Sequence, residues 1–193
     1  IARGLVISFG MAGSNSFQSD PSINSQSRPI VISTWDFGVR ANEVAWEIIE
    51  KGGRALDAVE QGVRLIESDP DEQSVSYGGL PDREGHVTLD ACLMDENSNC
   101  GSVAFLRDFK NPISIARRVM EQTSHVMLVG AGAKKFALEE GFTAENLLTE
   151  KSKQDWKDCL QKAEDQPVIN IENHDTISML AIDQSGNISG ACT

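Results

Sequence analysis

No two cysteines in this sequence form a C-x-x-C pair, which removes the usual zinc-ribbon pattern. The four thiols, Cys92, Cys100, Cys159 and Cys192, are scattered. Cys92 and Cys100 fall in adjacent apolar runs and could face each other across a hairpin; buried free thiols are the expected state. Basic residues are outnumbered, with 17 Lys and Arg against 29 Asp and Glu and a formal net charge of -12. Nucleic acid and anionic membranes both require basic patches, so neither is expected as a partner. A Gly-x-Ser-x-Gly elbow is missing, which disfavours that type of serine hydrolase. There is no P-loop. Gly130-Ala131-Gly132 stands between a strand pattern and a helix pattern, but Lys135 occupies the third glycine position of a dinucleotide-binding turn. His86, His125 and His174 show no ligand spacing, so no metal site is expected. No internal repeat is visible.

What is present reads as one domain. The 193 residues suffice for a real core, and 40% hydrophobic with 24% charged is ordinary globular composition. Residues 1–27 differ from the rest: Arg3, the apolar run Leu5 to Ala12, then small and polar residues through Ser27. These are the elements of a secretory leader, so export is expected, to a periplasmic or extracellular space or to the lysosome. The apolar run is too short to span a bilayer. Asn187-Ile188-Ser189 fits a glycosylation sequon, a weak pattern by itself.

Periodicity predicts a buried strand over 29–35, a helix over 41–51 stopped by Gly52, and a helix over 55–68 ended by Asp69-Pro70. Residues 74–85 are loop. Two hairpins are expected, 86–94 with 100–106 and 176–182 with a return strand from 188. The second stops mid-strand at Thr193, which predicts an unpaired edge and a chain cut short. Between them lie a helix from Pro112 to about Gln122, capped by Asn111, a strand over 126–129, and a helix over 133–140. Residues 150–166 read as a polar, centrally helical, exposed linker. Helices in series with antiparallel hairpins give an α+β fold.

The segment Asn173-His174-Asp175-Thr176-Ile177 carries the chemistry. A threonine hydroxyl within a chain is a weak nucleophile. Freed at its own nitrogen, it gains an α-amine titrating near about 8 that can act as its base. Cleavage between Asp175 and Thr176 would create such a residue.

Several segments share one family's order: Ser33-Thr34-Trp35, residues 52–60 (GGRALDAVE), Tyr77-Gly78-Gly79, Thr88-Leu89-Asp90-Ala91, Lys110-Asn111-Pro112-Ile113, residues 125–130 (HVMLVG) and 173–177 (NHDTI). With these the chain resembles the glycosylasparaginases (aspartylglucosaminidases), members of the N-terminal nucleophile hydrolases. The resemblance implies an αββα four-layer sandwich, of which this is the N-terminal part. Residues 28–175 would be the α-subunit region and 176–193 the start of the β-subunit region. It implies self-cleavage before Thr176, hydrolysis of glycosylasparagine by the freed threonine, no cofactor, and a dimer of αβ units. Carried over by residue, Thr176 would be the nucleophile, with Asp175 and His174 serving self-cleavage. Trp35 would line the substrate pocket and Ser74 would hydrogen-bond near the threonine amine.

Two residues depart from the family pattern. Ser178 and Ser76 both stand at usual glycines, and a side chain at 178 is expected to alter backbone approach and slow self-cleavage. The family's substrate-holding arginine and aspartate and its oxyanion donors would follow Thr193, so these residues alone are expected to be inactive. An isoaspartyl peptidase or plant-type asparaginase is the alternative enzyme, against which Asp175 and Trp35 weigh. A non-catalytic fragment is the alternative from another class.

Overall fold

The computed structural model describes residues 28–162 and 176–193; the 1–27 leader, His174 and Asp175 lie outside the described residues. In chain order the elements are β1 (Ile30–Ser33), α1 (Gly38–Glu50), α2 (Ala55–Glu67), β2 (Leu89–Met94), β3 (Cys100–Leu106), α3 (Pro112–Gln122), β4 (Met127–Val129), α4 (Gly130–Glu139), α5 (Glu150–Lys162), β5 (Ser178–Ile182) and β6 (Ile188–Cys192). The strands form one sheet in the order β1-β5-β6-β2-β3-β4, antiparallel except where β4 runs parallel to β3. This is an α+β fold with both hairpins in place.

The sheet's two faces differ because its strands alternate. Met179, Ala181, Ala191, Leu93 and Val103 are buried against the helices. Ile32, Leu180, Ile188 and Met94 point the other way and remain exposed among the described residues. The helices dock by repeating apolar stripes. Ala41, Ala45 and Ile49 are the buried face of α1, and Leu56, Val59, Val63 and Ile66 are fully buried on α2. Each large side chain of that stripe contributes about 1.5–3 kcal/mol by leaving water. Gly62 permits the approach: a Cβ there would stand 2.7 Å from the Met179 sulfur and 2.8 Å from the Ala41 carbonyl. Only glycine lets α1, α2 and β5 meet so closely.

Several expectations are corrected. Among the described residues strand β1 is an edge strand with Ile30 and Ile32 exposed, because only β5 pairs with it there. The chain's last strand is no edge, since β6 pairs with both β5 and β2. Helix α1 begins three residues early, at the turn where the Asp36 carboxylate accepts the Phe37 N–H. Helix α4 starts at Gly130, so β4 runs directly into it without an intervening turn. Asn111 makes no side-chain cap for α3; its amide reaches back to Ser68 (3.0 Å) and Glu67 (3.3 Å). The polar segment from Glu150 is more than a linker: Ser152 is buried, and Gln73 bonds Asp155 at 2.8 Å.

The β5–β6 turn bolts the sheet to the helices. Asp183 is buried and accepts hydrogen bonds from the backbone of Ser185 and Asn187, the Asn187 amide, and the N–H of Ala55 at the start of α2. The sequon asparagine is therefore committed to this turn. Next door, the Gln184 amide donates to the Ile49 and Glu50 carbonyls at the end of α1. The β2–β3 turn repeats the pattern, with Asp95 accepting from Asn97 and Asn99. In the full-length protein, Asp183→Ala should cost about 2–4 kcal/mol, the sum of a lost helix cap and buried donors left unpaired. Chemical denaturation measures it; a loss under about 0.5 kcal/mol would refute this role for Asp183.

Glu67, at the end of α2, is fully buried and accepts from the Ile113 N–H (3.1 Å) as well as from Asn111. Burial pushes its carboxyl up to about 8, against those hydrogen bonds. Its folded pKa thus lies above the unfolded value. Stability should fall as pH rises from the ordinary glutamate range through about 8, because only the unfolded state ionises freely in that window. Glu67→Gln should flatten this slope in denaturation curves taken between pH 5 and pH 8, values chosen to span the shift. An unchanged slope would exclude Glu67 as its source.

Candidate active site

Thr176 is half-buried and lies just ahead of β5. Its carbonyl accepts the Trp35 indole N–H at 2.8 Å. One residue earlier, the Thr34 N–H donates to the Ser178 carbonyl and the Thr34 hydroxyl accepts the Ser178 N–H, both at 3.0 Å. The turn after β1 therefore grips the backbone of the Thr176 segment at three points. Trp35 achieves this with a positive φ of 66°, a strained conformation for a bulky side chain. Thr34 stands in the Ser-Thr-Trp motif, but its pairing with Ser178 joins residues 144 positions apart and leaves no local signal.

A cavity of about 690 Å³ opens beside Thr176, lined also by Ser74, Asp90, Cys92, Cys192 and Thr193. It brings Thr176 and Ser74 together. Trp35 is not among its lining residues; it holds Thr176 from the backbone side. The Ser74 hydroxyl donates to Glu72 at 2.9 Å. Asp90 arrives through a bulge between β2 and β3, where its carboxylate accepts the Phe105 N–H at 2.7 Å. The cavity thus brings the Thr176 hydroxyl-bearing side chain together with the Ser74 hydroxyl and the Asp90 carboxylate. Among the described residues, no three His, Cys, Asp or Glu side chains group as a metal site.

Both serines at glycine positions are accommodated. Ser76 has φ 45°, the left-handed region where glycine is favoured, and its buried hydroxyl donates to the Lys110 carbonyl. That bond offsets part of the backbone cost. Ser178 directs its hydroxyl to the Cys192 sulfur at 3.4 Å.

The cysteines are not buried as expected. Cys92, Cys100 and Cys159 are exposed and Cys192 is half-buried, all as free thiols. Cys92 opposes Ser102 and Cys192, while Cys100 opposes Met94, so Cys92 and Cys100 do not face each other.

Residues 10–193 match a family model described as asparaginase. The chain belongs to the asparaginase family. Among similar asparaginase-family proteins is the N(4)-(β-N-acetylglucosaminyl)-L-asparaginase of Elizabethkingia miricola, 63% identical over 166 residues, covering 86% of this chain and 49% of that protein. The protein of the same name from Rattus norvegicus is 37% identical over 190 residues, covering 82% and 55%. That from Mus musculus is 45% identical over 135 residues, covering 69% and 39%. This asparaginase-family chain spans about half the length of the relatives it matches.

The Trp35 bond generates a direct test. Trp35→Phe keeps an aromatic ring and deletes the donor to the Thr176 carbonyl. Amide hydrogen exchange at Ile177 and Ser178 should accelerate roughly fivefold, as expected for one lost hydrogen bond of about 1 kcal/mol. Unchanged exchange at both amides would remove the positioning role.

Proposed function

We propose that this chain is the N-terminal part of a glycosylasparaginase precursor that cuts itself between Asp175 and Thr176 and then hydrolyses glycosylasparagine. The observation that carries this reading is Thr176 itself. It stands at the head of β5 on a cavity wall, gripped by Trp35, in a chain whose asparaginase-family relatives bear N(4)-(β-N-acetylglucosaminyl)-L-asparaginase names.

In the proposed sequence the Thr176 hydroxyl adds to the Asp175 carbonyl, losing its proton, and the peptide nitrogen leaves as the new α-amine. Water then hydrolyses the resulting ester. The mature Thr176 attacks the side-chain amide carbon of glycosylasparagine with its α-amine as base, releasing the glycosylamine. A second water frees the aspartyl group from the oxygen. Asp175 and His174 serve the first stage. Ser74 serves the second, turning from Glu72 toward the freed amine.

The exposed apolar face of Ile32, Leu180, Ile188 and Met94 supports an αββα sandwich in which the rest of the chain supplies the second sheet. We propose further that the β-subunit stays bound after cleavage, that two αβ units associate, and that residues 1–27 direct export. The substrate-holding arginine and aspartate implied by the resemblance are not among these 193 residues, so the segment alone is proposed to be inactive.

Full-length protein held at neutral pH should yield two fragments, the second beginning at Thr176, and should release aspartate from glycosylasparagine. Thr176→Ala should abolish both. Mass spectrometry showing only intact wild-type chain would overturn the self-cleavage. Preferred hydrolysis of isoaspartyl dipeptides would move the assignment to that branch of the superfamily.

A further inference from the structure

Cys92 and Cys192 take no part in the chemistry proposed for Thr176, yet they line its cavity. They are direct register partners on the neighbouring antiparallel strands β2 and β6. Opposed residues in such a ladder have Cα atoms about 4.5–5.5 Å apart, inside the disulfide range of about 4.4–6.8 Å. Cys100 is offset by two residues, since it opposes Met94 while Cys92 opposes Ser102. That diagonal spans about 7–8 Å and is not bridged without backbone movement.

The two thiols are also linked chemically. The Cys192 sulfur accepts the Ser178 hydroxyl at 3.4 Å, and the Cys92 thiol is its cross-strand neighbour. The neighbouring Cys92 thiol and the Ser178 hydroxyl hold the Cys192 thiol down to about 6, while Cys92 is pushed up by the same pairing and by partial desolvation. The more acidic sulfur thus sits beside a second thiol on the same cavity wall. Ser178, which joins them to the site, is the register partner of Cys192 and follows Thr176 by two residues.

We propose that Cys92 and Cys192 form a reversible disulfide that restrains the Thr176 site, with a low-molecular-weight disulfide as the oxidant. The proposal rests on the reading of Thr176 as nucleophile. The Cys192 thiolate attacks one sulfur of the oxidant, forming a mixed disulfide and expelling one reagent thiolate. The Cys92 thiol loses its proton to water and attacks the Cys192 sulfur, expelling the second reagent thiolate. The protein loses two hydrogens, and the oxidant is reduced to two thiols. Closure ties β6 to β2 and withdraws the sulfur that accepts the Ser178 hydroxyl, so the backbone leading from Thr176 is held differently.

The test uses the full-length processed protein, reduced and then incubated with glutathione disulfide. Peptide mapping should show Cys92 joined to Cys192, with turnover of glycosylasparagine reduced at least about tenfold and restored by dithiothreitol. Cys92→Ser and Cys192→Ser should each lose the linkage and show equal turnover before and after oxidant, whatever their own basal rates. Cys100→Ser should still form it. A disulfide mapped to Cys100 or Cys159 instead, or no disulfide, would overturn the pairing. Absent turnover in the reduced protein would overturn the nucleophile reading and the restraint together. Turnover unaffected by a mapped Cys92–Cys192 linkage would overturn the restraint alone.

Discussion

The burial of α2 is the constraint on which the rest of the structure depends. Its apolar stripe and the carboxyl groups of Glu60 and Glu67 are all buried. It touches α1, α3, β5 and β6 together, so it sets the distance between the helical layer and the strand that carries Thr176 toward the cavity. The fully buried stripe drives this docking through removal of apolar surface from water. Polar contacts then select one register: Asp183 receives the first N–H of α2, and Glu67 receives the first turn of α3. A helix free to slide by one turn would break both.

That frame explains how a strained site persists. A bulky residue at positive φ, as at Trp35, costs energy locally and survives only where surroundings hold it. Here β1 is paired with β5 up to Ser33, and Thr34 extends the same ladder to Ser178. From there the indole N–H donates to the Thr176 carbonyl. Ser76, which lines the cavity, follows the same logic, its left-handed backbone tied to Lys110 by its own hydroxyl.

Much of this was legible beforehand. Apolar repeats located α1 and α2 within a few residues, the Asn111-Pro112 pair located α3, and alternation bounded by Asp-rich turns located both hairpins, because these are local properties of the chain. The Asn-His-Asp-Thr-Ile segment and the Ser-Thr-Trp motif named Thr176 and Trp35. What escaped was the identity of neighbours. The opposition of Cys92 to Cys192 joins residues 100 positions apart, and no local pattern encodes which strand lies beside which. The apparent burial of β1, the supposed edge at β6 and the supposed Cys92–Cys100 pairing failed for the same reason.

By itself, the sequence determined the element types, the acidic surface and the threonine that family motifs surround. These follow from side-chain periodicity, charge and residue identity, which need no partner. Only the tertiary structure decided that Trp35 grips Thr176 from behind, that Ser178 meets Cys192, and that Glu67 is fully buried. Each of those depends on two distant segments being brought together by the packing of α2 beneath the sheet. Burial and register are collective results of that packing, so no single stretch of chain carries them.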